Sequence, residues 1–532
     1  MTLSIDQNSN PLWDTPAKLA ALAASGESVR HCVEDIDVAF TDLGATLDDP
    51  TLRICREQFH PSGGQSWGAS LFYSEFLGRL PFEPRVLLDS LGLSLRTLSR
   101  QLDLTAPEFY DRFSQSDTHI LVGSSFVFDR NHHRLLGDLG ASETRPHLSA
   151  MIDLAEADTL GSFPATDAQA RTAELFARYR RELDAIYAQS PATLAEVYGR
   201  WLTPALPDTA ITLSSTDMAL GHRREHLAAL ELFTQNYDLA AGLYNRAVAD
   251  VPLGVHPLDI DAGELPFYAI LRRDGRMVRC ECTLDAGALC FGEHSLPLRA
   301  NNTLDVDALQ DAGVIALCGK ALLLVLQARM LPGGEPLALP DHGSIYMPTA
   351  HRFAELLHSA GLLPGGVAPI LRVHFHLLDR LGELETPIVL PAHLQRFGGR
   401  DTLSSAELAG AMPEWIQTAQ AELAACRNEK TLEDKLHQFD PDHSTQLKTQ
   451  RQTQRRLALG GGDADTLRTQ SQAIRQTERE LLETMLQRLV DCQQVAELEF
   501  YQSRGAIQPW CVAASGEEFY RDVLQRATFT RE

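Results

Sequence analysis

Three features of the chain predict an α/β protein: a mainly parallel sheet with helices on both faces, and an antiparallel helical coiled-coil arm following it. Short apolar runs alternate with amphipathic helical segments, the pattern of parallel sheets whose crossovers are helices. An Asp-Gly pair between two β-type runs marks a tight hairpin. Residues Pro413 to Arg504 read as a long polar helical hairpin with a narrow apolar seam on each arm.

The elements follow in order. The first hundred residues read as mostly helix and loop, with a Gly-rich turn from Pro61 to Gly68, including Gly64 and Gln65, leading into a helix from Ala69. His119 to Phe128 is an apolar run of strand length that suits a buried sheet interior. Helices are expected at 142–157, 165–188 and 192–203, and a strand at Thr209 to Leu213. That strand runs into Ser214-Ser215-Thr216-Asp217 and a long helix over 221–248. Phe267 to Arg272 and Met277 to Leu284 flank Asp274-Gly275, and both turn residues need positive φ. A buried helix is expected over 306–330, then a strand at Leu337 to Leu339, a helix at 349–361 and a strand at Ile370 to Leu377. This order gives a Rossmann-like α/β core over 119–400, with the β-hairpin inserted near 267–284. Residues 1–118 form a mostly helical part of the core, 401–508 the coiled-coil hairpin, and 509–532 a tail that packs back on the core.

In the arm, Ile416, Ala419, Leu423 and Cys426 make one seam, and Ile474, Leu481, Met485, Leu489, Cys492 and Ala496 make the other. Gly460-Gly461-Gly462 breaks the pair. The surface between the seams is Gln, Glu, Arg and Thr, so each seam covers a partner helix and not a globular core. The pair either folds on its own domain or also supplies a homodimer contact, with Leu482 and Leu486 just outside the intramolecular stripe.

Composition narrows the partners. The 532 residues carry a formal net charge of −24, with 44% hydrophobic and 22% charged residues. That balance is ordinary for a soluble globular chain, and its sign argues against nucleic acid or an anionic membrane as main partner. Nine scattered cysteines suit reduced thiols in a cytoplasm. The start lacks a basic, apolar leader, and the apolar run Val314 to Met330 is interrupted by Lys320, Gln327 and Arg329, so a buried helix is expected there and not a membrane span.

Open α/β sheets bind ligands beyond the carboxyl ends of their strands. Three such ends carry small polar residues: Gly123, Ser124 and Ser125; Ser214, Ser215 and Asp217; and His342, Gly343 and Ser344, with Tyr346 just after. Hydroxyls and Gly amides suit phosphate or carboxylate oxygens, although strand-to-helix loops use the same residues as caps. His132 and His133, with Asp138 close by, follow the first apolar run and form an acid/base candidate. His374 and His376 share a strand face and could meet a substrate, as could Gly64 and Gln65. His222, Glu225 and His226 match an H-x-x-E-H spacing but are expected to be structural. Cys280, Cys282, Cys290 and His294 lack zinc-knuckle spacing, and no metal is predicted. There is no P-loop, no dinucleotide fingerprint and no Gly-x-Ser-x-Gly elbow.

The stretch LALPDHGSIYMP from Leu337, the helix at 349–361, the Gly361-Leu-Leu-Pro turn and the strand from Pro369 resemble the end of the core of the cysteine ligase family of bacillithiol biosynthesis. The helix from Thr193 and the strand ending in Ser214 to Asp217 follow a similar order, so the resemblance spans roughly 190–532. Gly63-Gly64-Gln65 and Asp129 to His133 loosely echo family turns, and the rest of the first part departs from the pattern. The resemblance implies a nucleotide-binding-like core with ATP or another nucleotide as cofactor, a coiled-coil dimer arm, and a ligase that joins cysteine to an amino-sugar acceptor by a carbon–nitrogen bond. The alternative is a non-catalytic nucleotide- or metabolite-binding scaffold acting through its arm.

Overall fold

The computed structural model describes residues 1–5, 12–36, 84–113, 135–220, 224–252, 255–330, 334–341, 346–496, 498 and 507–532. They form thirteen strands: β1 (Thr2–Ile5), β2 (Val29–Val33), β3 (Ala210–Leu213), β4 (Glu264–Arg273), β5 (Arg276–Asp285), β6 (Ala288–Phe291), β7 (His294–Pro297), β8 (Val314–Gly319), β9 (Leu337–Pro340), β10 (Ile370–His374), β11 (Pro387–Val389), β12 (Thr402–Ser404) and β13 (Thr528–Arg531).

Six strands make the main sheet, in the order β13-β10-β9-β1-β2-β3. All neighbours are parallel except β13, which runs antiparallel to β10 at the edge. Counted within this sheet alone, the order is 3-2-1-4-5-6, and it reverses between β1 and β9. β1 and β2 are buried along their whole length, as expected for inner strands covered on both faces. Neither strand was expected from the sequence, which read this region as helix and loop. Their segments, TLSI and VRHCV, are short and carry polar side chains that hide the apolar signal. The structure gives those groups internal partners: His31 Nδ1 lies 3.0 Å from Ser4 Oγ, and Arg30 pairs with Asp217 and Glu335.

The sheet separates two cores. Leu371 and Val373 of β10 join Trp13, Leu19 and Leu22 on one side, while Ile370 joins Leu337, Phe353 and Leu357 on the other. The first side is covered by the helices Asp14–Ala24, Ile507–Ser515 and Glu517–Gln525, and the second by Met347–Ser359.

A second, antiparallel sheet of five strands, β7-β6-β5-β4-β8, packs into the second core. The expected hairpin is its centre: Asp274 has φ +49° and Gly275 φ +80°, both in the left-handed region that the tight turn requires. The helix expected over 306–330 is instead helix Val306–Asp311, strand β8 and helix Ala321–Gln327. A continuous apolar run has no period, so it does not distinguish the two states. Gly319 makes the turn, because a Cβ there would lie 2.5 Å from Leu324 N. The long helix expected over 221–248 breaks at Asn236 into Arg224–Gln235 and Tyr237–Asp250. The strand from Ile370 stops at His374, and His376, at φ +53°, turns the chain into helix Leu377–Leu381.

The helices expected at 142–157, 165–188 and 192–203 are Ala141–Ser162, Thr166–Ala188 and Leu194–Ala205. The arm begins with Ser405–Asn428, capped by reciprocal Ser404 and Glu407 hydrogen bonds. It continues through Leu432–Phe439 and Pro441–Leu459, turns at Gly461 (φ +75°), and returns as Ala464–Ala496. Ala419, Leu423, Cys426, Ile474, Leu481, Met485, Leu489 and Cys492 are buried as the two seams require. The seam is not isolated, however. Helices Pro84–Ser90, Leu95–Leu102 and Ala106–Phe113 pack on the far side of Ala464–Ala496. Leu482 and Leu486, expected outside the stripe, are 1% and 2% exposed and share a core with Leu98, Leu102, Phe109 and Phe113. Arg112–Glu483 at 3.0 Å and Arg479–Asp103 at 3.5 Å frame that contact. Among the described residues, no helix is long and apolar enough to cross a membrane.

Candidate ligand site at the carboxyl ends of the parallel strands

Four of the parallel strands deliver polar residues to one edge of the main sheet. β2 is followed by Glu34 and Asp35, β3 by Ser214 and Ser215, β9 by Asp341, and β10 by Phe375 and His376. β1 ends beside them, at the centre of the row. The edge divides into two groups on either side of the order reversal.

On the β2–β3 side, Ser215 donates its backbone N–H to Asp35 Oδ1 at 2.6 Å and its hydroxyl to Asp35 Oδ2. Ser214 donates its hydroxyl to Glu34 Oε1 at 3.1 Å. These bonds exist because β2 and β3 are parallel and in register, Val33 opposite Leu213, so the residues after each strand face one another. Asp35 is 3% exposed, and burial raises its carboxyl above the ordinary range despite the hydrogen bonds from Ser215. Ser214 and Ser215 were sequence candidates. Glu34 and Asp35 were missed, because their strand was not recognised, although an acidic pair directly after VRHCV was the available signal.

Asp217 serves a different purpose. It is 1% exposed, pairs with Arg30, and accepts a hydrogen bond from Cys32 Sγ at 2.8 Å. Burial pushes the Cys32 thiol up to about 11, against the field of Arg30. The carboxylate of Asp217 is therefore engaged by Arg30 and Cys32 in the interior. His226 is buried too, with Nδ1 2.8 Å from the Asp217 carbonyl oxygen. Asp138 accepts from Met277 N at 2.6 Å and so ties the segment Leu136–Asp138 to β5.

On the β9–β10 side, His374 Nδ1 lies 2.9 Å from Asp341 Oδ2, and its Nε2 lies 2.9 Å from Thr530 Oγ1. His376 Nε2 lies 2.7 Å from Thr528 Oγ1. The two rings stack with centroids 6.0 Å apart and planes at 25°. The strand ends at His374, so the two rings are not brought together by a strand face; the turn at His376 and two hydroxyls of β13 that the sequence reading missed hold them side by side. Tyr346 is partly buried at the start of helix Met347–Ser359.

Gly64, Gln65, Gly123, Ser124, Ser125, His132, His133, His222, His342, Gly343 and Ser344 lie outside the described residues. Among the described residues, no group of three or more His, Cys, Asp or Glu is arranged to hold a metal ion. What the edge offers is hydroxyls and carboxylates on one flank and two oriented imidazoles on the other. That set suits a polar ligand with hydroxyl donors and an acidic or transferable proton.

The described part is thus a mixed α/β protein with a mainly parallel six-stranded sheet and a second, antiparallel sheet. No family model, curated protein or solved structure matches the chain.

Proposed function

We propose that the chain is a Rossmann-like, nucleotide-using ligase that joins an amino acid to a small amine or amino-sugar acceptor. The observation that carries this reading is the strand order: 3-2-1-4-5-6 reverses between β1 and β9, and ligands of open parallel sheets bind in the crevice outside such a reversal. The acids after β2 support it, since that position meets ribose hydroxyls in dinucleotide-binding sheets. In the proposed reaction a nucleotide phosphoryl group activates a carboxylate. The amine nitrogen then displaces it, forming the carbon–nitrogen bond and releasing a proton toward the His374–His376 flank. The amino acid, cysteine in the family the sequence resembles, and the acceptor share the crevice.

The test is a thermal-unfolding screen of the full chain with ATP, followed by an assay for ATP-dependent loss of the free amine. ATP at about a hundred times its dissociation constant stabilises by roughly 2.7 kcal/mol. Asp35→Ala should abolish most of that shift. No shift with any nucleotide, and no amine consumption, would discard the ligase reading. A second reading, a scaffold that acts through its arm, is favoured by Leu457 and Leu459, which are 36% and 81% exposed near the arm's far end. Homodimer formation through that end is part of either reading.

A further inference from the structure

Four arginines are buried among the described residues: Arg30, Arg329, Arg372 and Arg380. Three of them meet carboxylates. Arg30 pairs with Asp217 and Glu335, Arg372 with Glu532, and Arg380 with Glu383 and Asp522. Arg329, the most buried at 1% exposure, meets none among the described residues. Its Nε donates to the Ala368 carbonyl at 2.7 Å, and its buried Nη1 has no partner. His351, on helix Met347–Ser359, has a buried Nε2 that likewise has no partner.

These groups belong to one neighbourhood. Arg372 alternates along β10 with Leu371 and Val373, so it leaves the sheet on the opposite face from them, the side covered by helix Met347–Ser359. Burial pushes the Arg329 guanidinium down to about 10, with Glu532 opposing and Arg372 adding to the shift. Burial also lowers His351, and the charge of Arg329 lowers it further. Among the described residues, the Glu532 carboxylate, which already accepts from Arg372 Nε at 3.3 Å, faces both guanidiniums and the imidazole, and Glu355 acts on His351 alone. A buried cation without a counter-charge is strongly unfavourable, and a planar guanidinium with an open N–H is built to hold two oxygens of an oxyanion.

We propose that Arg329 and His351 line a buried anion subsite, beneath helix Met347–Ser359 on the covered face of the sheet near β10, that takes a carboxylate or phosphate group of a small ligand. Arg372 supplies the second positive charge. His374 stands two residues along the same strand, about 7 Å away, so the subsite adjoins the β10 flank of the strand-end site. It does not depend on nucleotide use.

The experiment uses the full chain with inorganic phosphate and with malonate, each titrated against sodium chloride at matched ionic strength and fixed pH. Thermal unfolding is the readout, and the variant comparison removes the general stabilising effect of such salts. Wild type should be stabilised in a saturable way, with the tighter of the two probes telling a phosphate from a carboxylate ligand. R329M should bind at least tenfold more weakly, and without anion it should unfold at no lower temperature than wild type, because it removes an uncompensated charge. An anion response in R329M equal to wild type overturns the proposal. If R329M does not fold, H351L decides: a threefold or greater weakening supports the subsite, and an unchanged response overturns it.

Discussion

The two ends of the arm use the same sequence pattern for different purposes. At its root, residues 481 to 495 of helix Ala464–Ala496 are buried on two sides, against Ser405–Asn428 and against the helices between Pro84 and Phe113. At its far end, Ser444 and Leu447 are the buried residues of Pro441–Leu459, and Leu459 is largely exposed. Apolar residues at three-four spacing specify a helix with one sticky stripe. They do not say whether that stripe zips to a single neighbour or is absorbed into a larger core. The deciding residues lie elsewhere: Leu482 and Leu486 widen the stripe at the root and have no equivalent near the turn.

The largest effect that separates the ends is expected at Leu486. L486A should cost about 2–5 kcal/mol of global stability in chemical denaturation, and L486D more, since a carboxylate would be desolvated there. A loss below about 1 kcal/mol, or a variant that folds normally and merely changes its mass in light scattering, would show the root to be a surface and not a core.

A smaller effect is expected where the two root helices are clamped. Glu422 accepts from Arg488 Nε at 2.8 Å and Nη2 at 2.6 Å, and Cys492 lies 3.2 Å away. Burial alone would raise the Glu422 carboxyl, but the hydrogen bonds from Arg488 and Cys492 bring it below its ordinary value of 4.5. A carboxyl lowered on folding stabilises the folded state above its unfolded pKa, and that stability is lost as pH falls through the folded value. E422Q should therefore be less stable than wild type at pH 7, by up to about 1 kcal/mol for a partly exposed pair. The gap should shrink as pH falls below the carboxyl's ordinary value of 4.5. A pH-independent gap would assign the loss to packing.

The smallest effect is expected at the far end. L459E should leave stability within about 0.5 kcal/mol of wild type. Its informative readout is mass: a dimer held by this end should dissociate toward the 58.7 kDa chain, and an unchanged dimer would move the contact elsewhere.

The sequence was most legible where a local rule has one structural answer. Asp274-Gly275 fits few turns other than the tight hairpin, and the Gly460 to Gly462 break ends a helix wherever it falls. It was least legible where tertiary pairing supplies what composition hides. Arg30, His31 and Ser4 make β1 and β2 look polar, and only their partners, Asp217 among them, make burial affordable. The same concealment explains the site. Ser214 and Ser215 were readable as residues after a strand, whereas Glu34 and Asp35 became visible once β2 was found beside β3. Asp217 sits three residues after Ser214, yet the short helix Ser214–Asp217 turns its side chain back to Arg30, a reversal that spacing does not reveal.

The central position of β1 also sets the timetable of biosynthesis. Leu3 pairs with Leu337, so at ribosomal speeds of roughly 5–20 residues per second β1 waits on the order of half a minute for β9 to emerge. During that interval β1 can be flanked by β2 alone, leaving one open backbone edge and an apolar face that the final sheet covers. Closure of the sheet is therefore a late event, and until β9 arrives the open edge of β1 is a place where another strand could pair.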